Sequence, residues 1–135
     1  MSTHRFPIQI RFNDIDTLGH VNNVMYNHYF DMARYDFMKQ VFGDLVDLQH
    51  GRYILIMVRI ENDFIRPSFM EDRLHVETEW DDIGNRSIRL RQRVVDQEGQ
   101  VRVNSLCVMS TYDKLSGKSF EITDEWRSRM PSLHT

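Results

Sequence analysis

Asn23-Val-Met-Tyr-Asn-His-Tyr-Phe-Asp-Met-Ala-Arg-Tyr-Asp-Phe-Met-Lys-Gln-Val41 is the stretch that decides the fold. Tyr26, Phe30, Ala33, Phe37 and Val41 recur at spacings of three and four, the period of an α-helix. Met25, Tyr29 and Met32 add a second apolar flank. A stripe that wide predicts a helix buried on more than one side. Asn22 and Asn23 are good N-cap residues for its start, and Gly43 is placed to end it.

On either side of this helix the period falls to two. Downstream of Gly51, Tyr53 to Phe64 is apolar, then alternating, and stops before Pro67. Arg73 to Trp80 alternates, with Leu74, Val76, Thr78 and Trp80 on one side. Ser87 to Val95 sets Ile88, Leu90, Gln92 and Val94 against Arg89, Arg91 and Arg93. Asp96 to Gly99 reads as a turn, Val101 to Tyr112 as a strand and Lys114 to Gly117 as another turn. Ile122 to Met130 reads as a short helix. Upstream, Pro7 to Phe12 alternates as a half-buried strand, and Asn13 to Asn22 is a loop. Long antiparallel strands need their apolar face covered, and one long helix is available to do it. The expected fold is therefore α+β, a curved antiparallel β-sheet wrapped around one central α-helix. A single open sheet leaves edges exposed, and self-association as a homodimer or homotetramer would protect them.

The 135 residues, without a repeat or a Gly-, Pro- or Ser-rich linker, fit one domain spanning 1–135. A hydrophobic share of 41% and a charged share of 27% are those of a folded globular chain. A formal net charge of -3 lacks the basic footprint of a nucleic-acid binder. Cys107 is the single cysteine, so no internal disulfide or cysteine zinc cluster can form, and a reducing cytoplasm is the simplest setting. The opening Met1 to Pro7 carries no apolar signal region, and the longest apolar run, Ile54 to Val58, is too short to span a bilayer. A cytoplasmic protein without membrane insertion is expected.

Asp14, Asp16 and His20 lie within seven residues, just before the helix start. Three readings stand. Loop Asp and Asn residues commonly make turns and caps. A metal loop of the EF-hand kind, begun at Asp14, would place Gly19 correctly but meets Leu18 and Met25 where ligands belong. An Asp-Asp-His metal site of another kind stays open. The third reading is hydrolytic. Unpaired N–H groups and the positive dipole end at a helix start can hold a developing oxyanion, and a nearby carboxylate can attack a carbonyl or activate water. The chain has no Gly-x-Ser-x-Gly elbow, His-Glu-x-x-His, phosphate-binding Gly-rich loop or dinucleotide fingerprint. Cys107, mid-strand among apolar neighbours, reads as packing.

Arg11-Phe-Asn-Asp-Ile-Asp16, Gly19-His-Val-Asn-Asn23, Tyr26, Tyr29, Ala33-Arg34 and Val58-x-Ile60-x-Asn62-x-Phe64-x-x-Pro67 together resemble the hotdog-fold acyl-CoA thioesterases. The group is the 4-hydroxybenzoyl-CoA thioesterase-like family, related to the acyl-carrier-protein (acyl-ACP) thioesterases, and the resemblance covers nearly the whole chain. It implies hydrolysis of an acyl-CoA or acyl-carrier-protein thioester. It carries over Asp16 as nucleophile or general base and backbone N–H groups near Asn23 as the oxyanion hole. Gly19 would allow close approach, Asp14 would tie down the loop, and His20 would orient water or substrate. The acyl-carrier-protein branch has Asn two residues after the Asp, where this chain has Leu18, and the helix Glu of the family is Asp31 here. Tyr26, Arg86 and Ser87 match substrate-binding positions, with Arg86 near the phosphates or pantetheine arm of CoA. Arg91 and Arg93 fit a solvated strand face better. The resemblance implies no metal and no cofactor beyond the CoA of the substrate, and an active site at a dimer interface. The same fold also hosts acyl-thioester hydratases and could serve as a non-catalytic acyl-CoA or lipid-binding module.

Overall fold

The computed structural model describes residues 3–132. Five strands, β1 (His4–Ile8), β2 (Tyr53–Phe64), β3 (Leu74–Ile83), β4 (Ser87–Val95) and β5 (Val101–Asp113), form one sheet in the order β1-β3-β4-β5-β2. Every neighbouring pair is antiparallel. One 20-residue helix, α1 (Asn23–Phe42), crosses the inner face, and a single turn of helix, α2 (Asp124–Arg127), closes the far end. This is the hotdog arrangement.

Helix α1 starts as expected: the Asn22 side chain accepts the Val24 N–H at 3.1 Å. It ends at Gly43, whose φ of 56° lies where only glycine is unstrained. Its first half, through Tyr26, Tyr29, Phe30 and Ala33, packs on Leu74, Val76, Val94 and Val103. Its second half, through Phe37, Met38 and Phe42, packs on Leu90, Cys107 and Met109 and on Trp126 of α2. Each large side chain buried this fully contributes about 1.5–3 kcal/mol. Breaks of register at Val58 in β2 and at Asp81 in β3 mark bulges, which bend strands and help the sheet wrap the helix.

Three expectations need correction. The first strand runs over His4–Ile8 instead of Pro7 to Phe12. The chain leaves the sheet after Ile8, and a 3-10 turn over Phe12–Asp14, held by the Asp14 N–H on the Arg11 carbonyl at 2.9 Å, turns Phe12 out to 82% exposure. The second helix flank is narrower than the sequence suggests, since Met32 is half exposed while Tyr29 is buried. The predicted C-terminal helix is confined to Asp124–Arg127, capped by the Thr123 hydroxyl.

A polar ladder runs through the core. Buried Arg34 donates to Gln92 Oε1 at 2.8 Å, and Gln92 donates to the Phe30 carbonyl at 3.1 Å and to Thr78 Oγ1 at 3.0 Å. Gln92 shares the apolar face of β4 because all its polar groups find partners there. On the outer face Arg89 and Arg91 pair with Asp81, and Arg93 pairs with Glu77.

Candidate active site

The loop between β1 and α1 is a small closed hairpin. Ile15 and Val21 form an isolated antiparallel bridge, and the Asp16 N–H donates to the His20 carbonyl at 2.9 Å. Gly19 sits at the reversal with φ 82°, and its N–H donates to the Asp16 carbonyl at 3.0 Å. The Val21 N–H donates to the carbonyl of fully buried Ser68, which ties the hairpin to the β2–β3 connection.

The two aspartates part company here. Asp14 is buried, and its Oδ2 accepts the Tyr29 hydroxyl at 2.7 Å and the Arg11 N–H at 3.0 Å. Its carbonyl accepts the Asn22 N–H at 2.8 Å, so one residue joins the turn, the helix cap and the second turn of α1. Burial and the Asp14 carboxylate together push the Tyr29 hydroxyl far above the ordinary tyrosine range. Asp16 is half buried at the surface. Its Oδ1 accepts the Leu18 N–H at 2.9 Å and the His20 N–H at 3.3 Å, while no donor among the described residues reaches Oδ2. The carboxylates of Asp14 and Asp16 therefore point to different places, and no group of three metal-ligating side chains converges among the described residues.

Asp16, His20, Asn23 and Tyr26 line one cleft of about 340 Å³, walled by Leu18, Val21, Phe64, Ile65 and Pro67. Gly19 lies in the same hairpin, outside the cleft wall. The Asn23 N–H, first of the helix, has no acceptor among the described residues, and the helix dipole is positive there. His20 packs edge-on against Phe69, with ring centroids 5.2 Å apart. Tyr26 is buried with its hydroxyl toward Ser68. Burial raises its pKa, and the contacts with Ser68 pull the other way.

Arg86 and Ser87 are not brought to this cleft within one chain. Ser87 pairs with Ser110, whereas Phe64 of the cleft pairs with Val103 and through it with Val94. The run of β4 from 87 to 94 spans about 23 Å. Arg86 instead donates to the Ser119 carbonyl at 3.1 Å and hydroxyl at 3.2 Å.

Sequence reasoning missed the cleft's support. Arg102 donates to Asp96 at 2.8 Å, to Asp72 at 3.0 Å and to the Pro67 carbonyl at 2.6 Å, which fixes the segment that holds Ser68 and Phe69. Pro67 stands in the quoted motif, but nothing local marks Arg102, Asp72 and Asp96 as partners.

A family model described as the thioesterase-like superfamily matches residues 10–130. The chain belongs to that superfamily. Among named relatives, the long-chain acyl-CoA thioesterase FadM of Escherichia coli is 24% identical over 93% of this chain and 96% of its own. The acyl-CoA thioesterase YbgC of Haemophilus influenzae is 25% identical over 67% of each chain. Among solved structures, a Thermus thermophilus thioesterase complexed with coenzyme A and Zn superposes with a TM-score of 0.80 at 27% identity, over 93% of this chain and 94% of that one. A predicted thioesterase from Bacillus stearothermophilus, at 22% identity and TM-score 0.85 over 95% and 93%, shares the fold. At the level of the superfamily, this thioesterase-like chain is an enzyme of thioester hydrolysis. No helix among its described residues is long and apolar enough to cross a membrane.

Proposed function

We propose that this chain hydrolyses acyl-CoA thioesters in the cleft between the Asp16 hairpin and the start of α1. The observation that carries the reading is the pairing of two unengaged groups on one cleft: Asp16 Oδ2 and the Asn23 N–H. The thioester oxygen would accept the Asn23 N–H at the positive end of the helix, so that charge arriving on it in the tetrahedral intermediate is stabilised. Asp16 would take a proton from water as hydroxide adds to the carbonyl carbon, or would itself add and form an anhydride that water then opens. Either way the C–S bond breaks, the thiolate of CoA leaves and takes up a proton, and the free acid is released. His20, held by Phe69, would orient the water, and Tyr26 would wall the acyl group. Coenzyme A is preferred over a carrier protein because the named relatives are acyl-CoA thioesterases.

The same reading supplies a role for Arg86 and Ser87. Edge strand β2 exposes Val58, Ile60 and Phe64, an apolar edge that a second copy would cover. Two-fold antiparallel pairing of β2 with its counterpart brings the Phe64 end of one sheet toward the Tyr53 end of the other. Tyr53 lies beside Asp113 and Ile56 beside Ser110, which pairs with Ser87. One protomer's cleft would thus face the Arg86–Ser87 corner of its partner, where a guanidinium can meet the CoA phosphates. Buried Cys107, the single thiol, suits a reducing cytoplasm.

The test is Asp16→Asn, assayed over short, long and aromatic acyl-CoA esters. Turnover should fall about 10²–10⁴-fold with the thermal midpoint unchanged within a few degrees. Hydrolysis by the Asp16→Asn variant at the wild-type rate would refute the assignment of Asp16. Tight binding of every ester by the wild type with no turnover would point to a binding module.

A further inference from the structure

A second cavity, of about 580 Å³, opens between the end of α1, the start of β2 and α2. That volume lies within the range of small-molecule sites. Tyr53, Phe120 and Trp126 line it. Phe120 stands nearly perpendicular to both others, at 80° to Tyr53 with centroids 5.2 Å apart and at 78° to Trp126 with centroids 5.4 Å apart. Asp44, Glu121 and Glu125 lie on its rim, all exposed and with no cationic partner among the described residues. The guanidinium on the rim, Arg52, is already matched: it donates twice to Asp113, at 2.8 Å and 3.0 Å. Arg52 also lies 4.9 Å from the centre of the Tyr53 ring, so a cation already rests on this aromatic wall. The neighbouring ammonium of Lys114 is spent on the Gln49 carbonyl at 3.1 Å.

Aromatic faces attract cations, and carboxylates at the rim strengthen that attraction and repel anions. We propose that this cavity binds a small organic cation, an alkylated ammonium whose methyl groups pack on the rings while its charge faces Asp44, Glu121 and Glu125. The cavity is distinct from the Asp16 cleft of the same chain. Within one chain, the strand from Tyr53 to Phe64 sets the two about 35 Å apart.

Choline chloride is the probe, titrated into the full chain while the two tryptophan indole N–H signals are followed by NMR. Trp80 lies outside the cavity and serves as the control. The Trp126 signal should shift saturably and the Trp80 signal should not. The neutral isostere 3,3-dimethylbutan-1-ol should bind at least about ten-fold more weakly. Glu121→Gln combined with Glu125→Gln, both at exposed positions, should weaken choline about three- to ten-fold and leave thioester hydrolysis unchanged. Equal affinity for choline and the alcohol, an unmoved Trp126 signal, or wild-type choline affinity in the double variant would each overturn the proposal. A trimethyllysine peptide binding more than about ten-fold tighter than choline would overturn the small-molecule assignment in favour of a protein ligand.

Discussion

Arg102→Met tests the brace beneath the cleft. The Arg102 and Asp72 side chains are each 11% exposed and that of Asp96 is 2% exposed, so the ion triad is largely out of water. Burial works against both carboxylates, yet backbone N–H donors and Arg102 hold each below the usual aspartate range. Methionine keeps most of the packing volume and removes the charge, leaving two buried carboxylates with amide donors only. Truncating one partner of a buried pair costs about 3–5 kcal/mol. The surviving donors from Phe69, Gln97, Glu98 and Gln100 put the expectation at the lower end, about 3 kcal/mol at pH 7. For a chain of this size that is a fall in thermal midpoint of about 10–12 °C. The pH dependence follows from the depressed carboxylates. Their contribution is fully present above the unfolded value near 3.9 and is lost as pH falls through the lower folded values. Urea denaturation of both proteins should therefore show a gap that is constant above about pH 5 and shrinks as pH falls through the depressed folded values. A gap below about 1 kcal/mol at pH 7, or one independent of pH, would refute the argument.

Other consequences are equally open to measurement. Tyr29→Phe removes the hydroxyl donated to buried Asp14 and should cost about 1.5–3 kcal/mol in urea denaturation, with turnover falling because the hairpin holding Asp16 loosens. Gly19→Ala meets no atom within 4 Å, so its cost is backbone strain alone, about 1–2 kcal/mol, and a crystal structure should show the hairpin relaxed from φ 82°. Ile60→Lys places a charge on the exposed edge of β2; sedimentation should show monomers and the thioesterase assay a loss of activity, while an unchanged assembly would rule out pairing through that edge.

The helix and the last four strands were legible because each has a burial period strong enough to read locally. Even polar Gln92 announced its inward side by its place in the alternation of β4. The first strand was misplaced because the alternation from Pro7 to Phe12 runs on past Ile8, where the chain leaves the sheet; Pro7 is no boundary. It lies inside β1, opposite His75, and is tolerated because β1 is an edge strand. Within the site, the grouping of Asp16, His20, Asn23 and Tyr26 was readable because all four lie on one hairpin and the helix turn it enters. The opposite wall at Phe64 to Pro67 and the Arg102 brace were not, since they arrive from distant sequence. Arg34 stands in the quoted motif, but its burial is explained only by the facing Gln92 and by its ion pair with Asp31.

The strand order also dictates a sequence of events in time. Hairpins β3–β4 and β4–β5 close over a few residues, but β1 must find β3 across a gap that pairs His4 with Thr78. During synthesis α1 is made before β3 and β4, the strands on which its first half packs, and has no sheet to lie on until they follow. The helix that organises the finished molecule is thus a waiting hydrophobic segment for much of synthesis. Exposure of Tyr26 to Phe42 before their sheet exists is what this order of elements builds into synthesis.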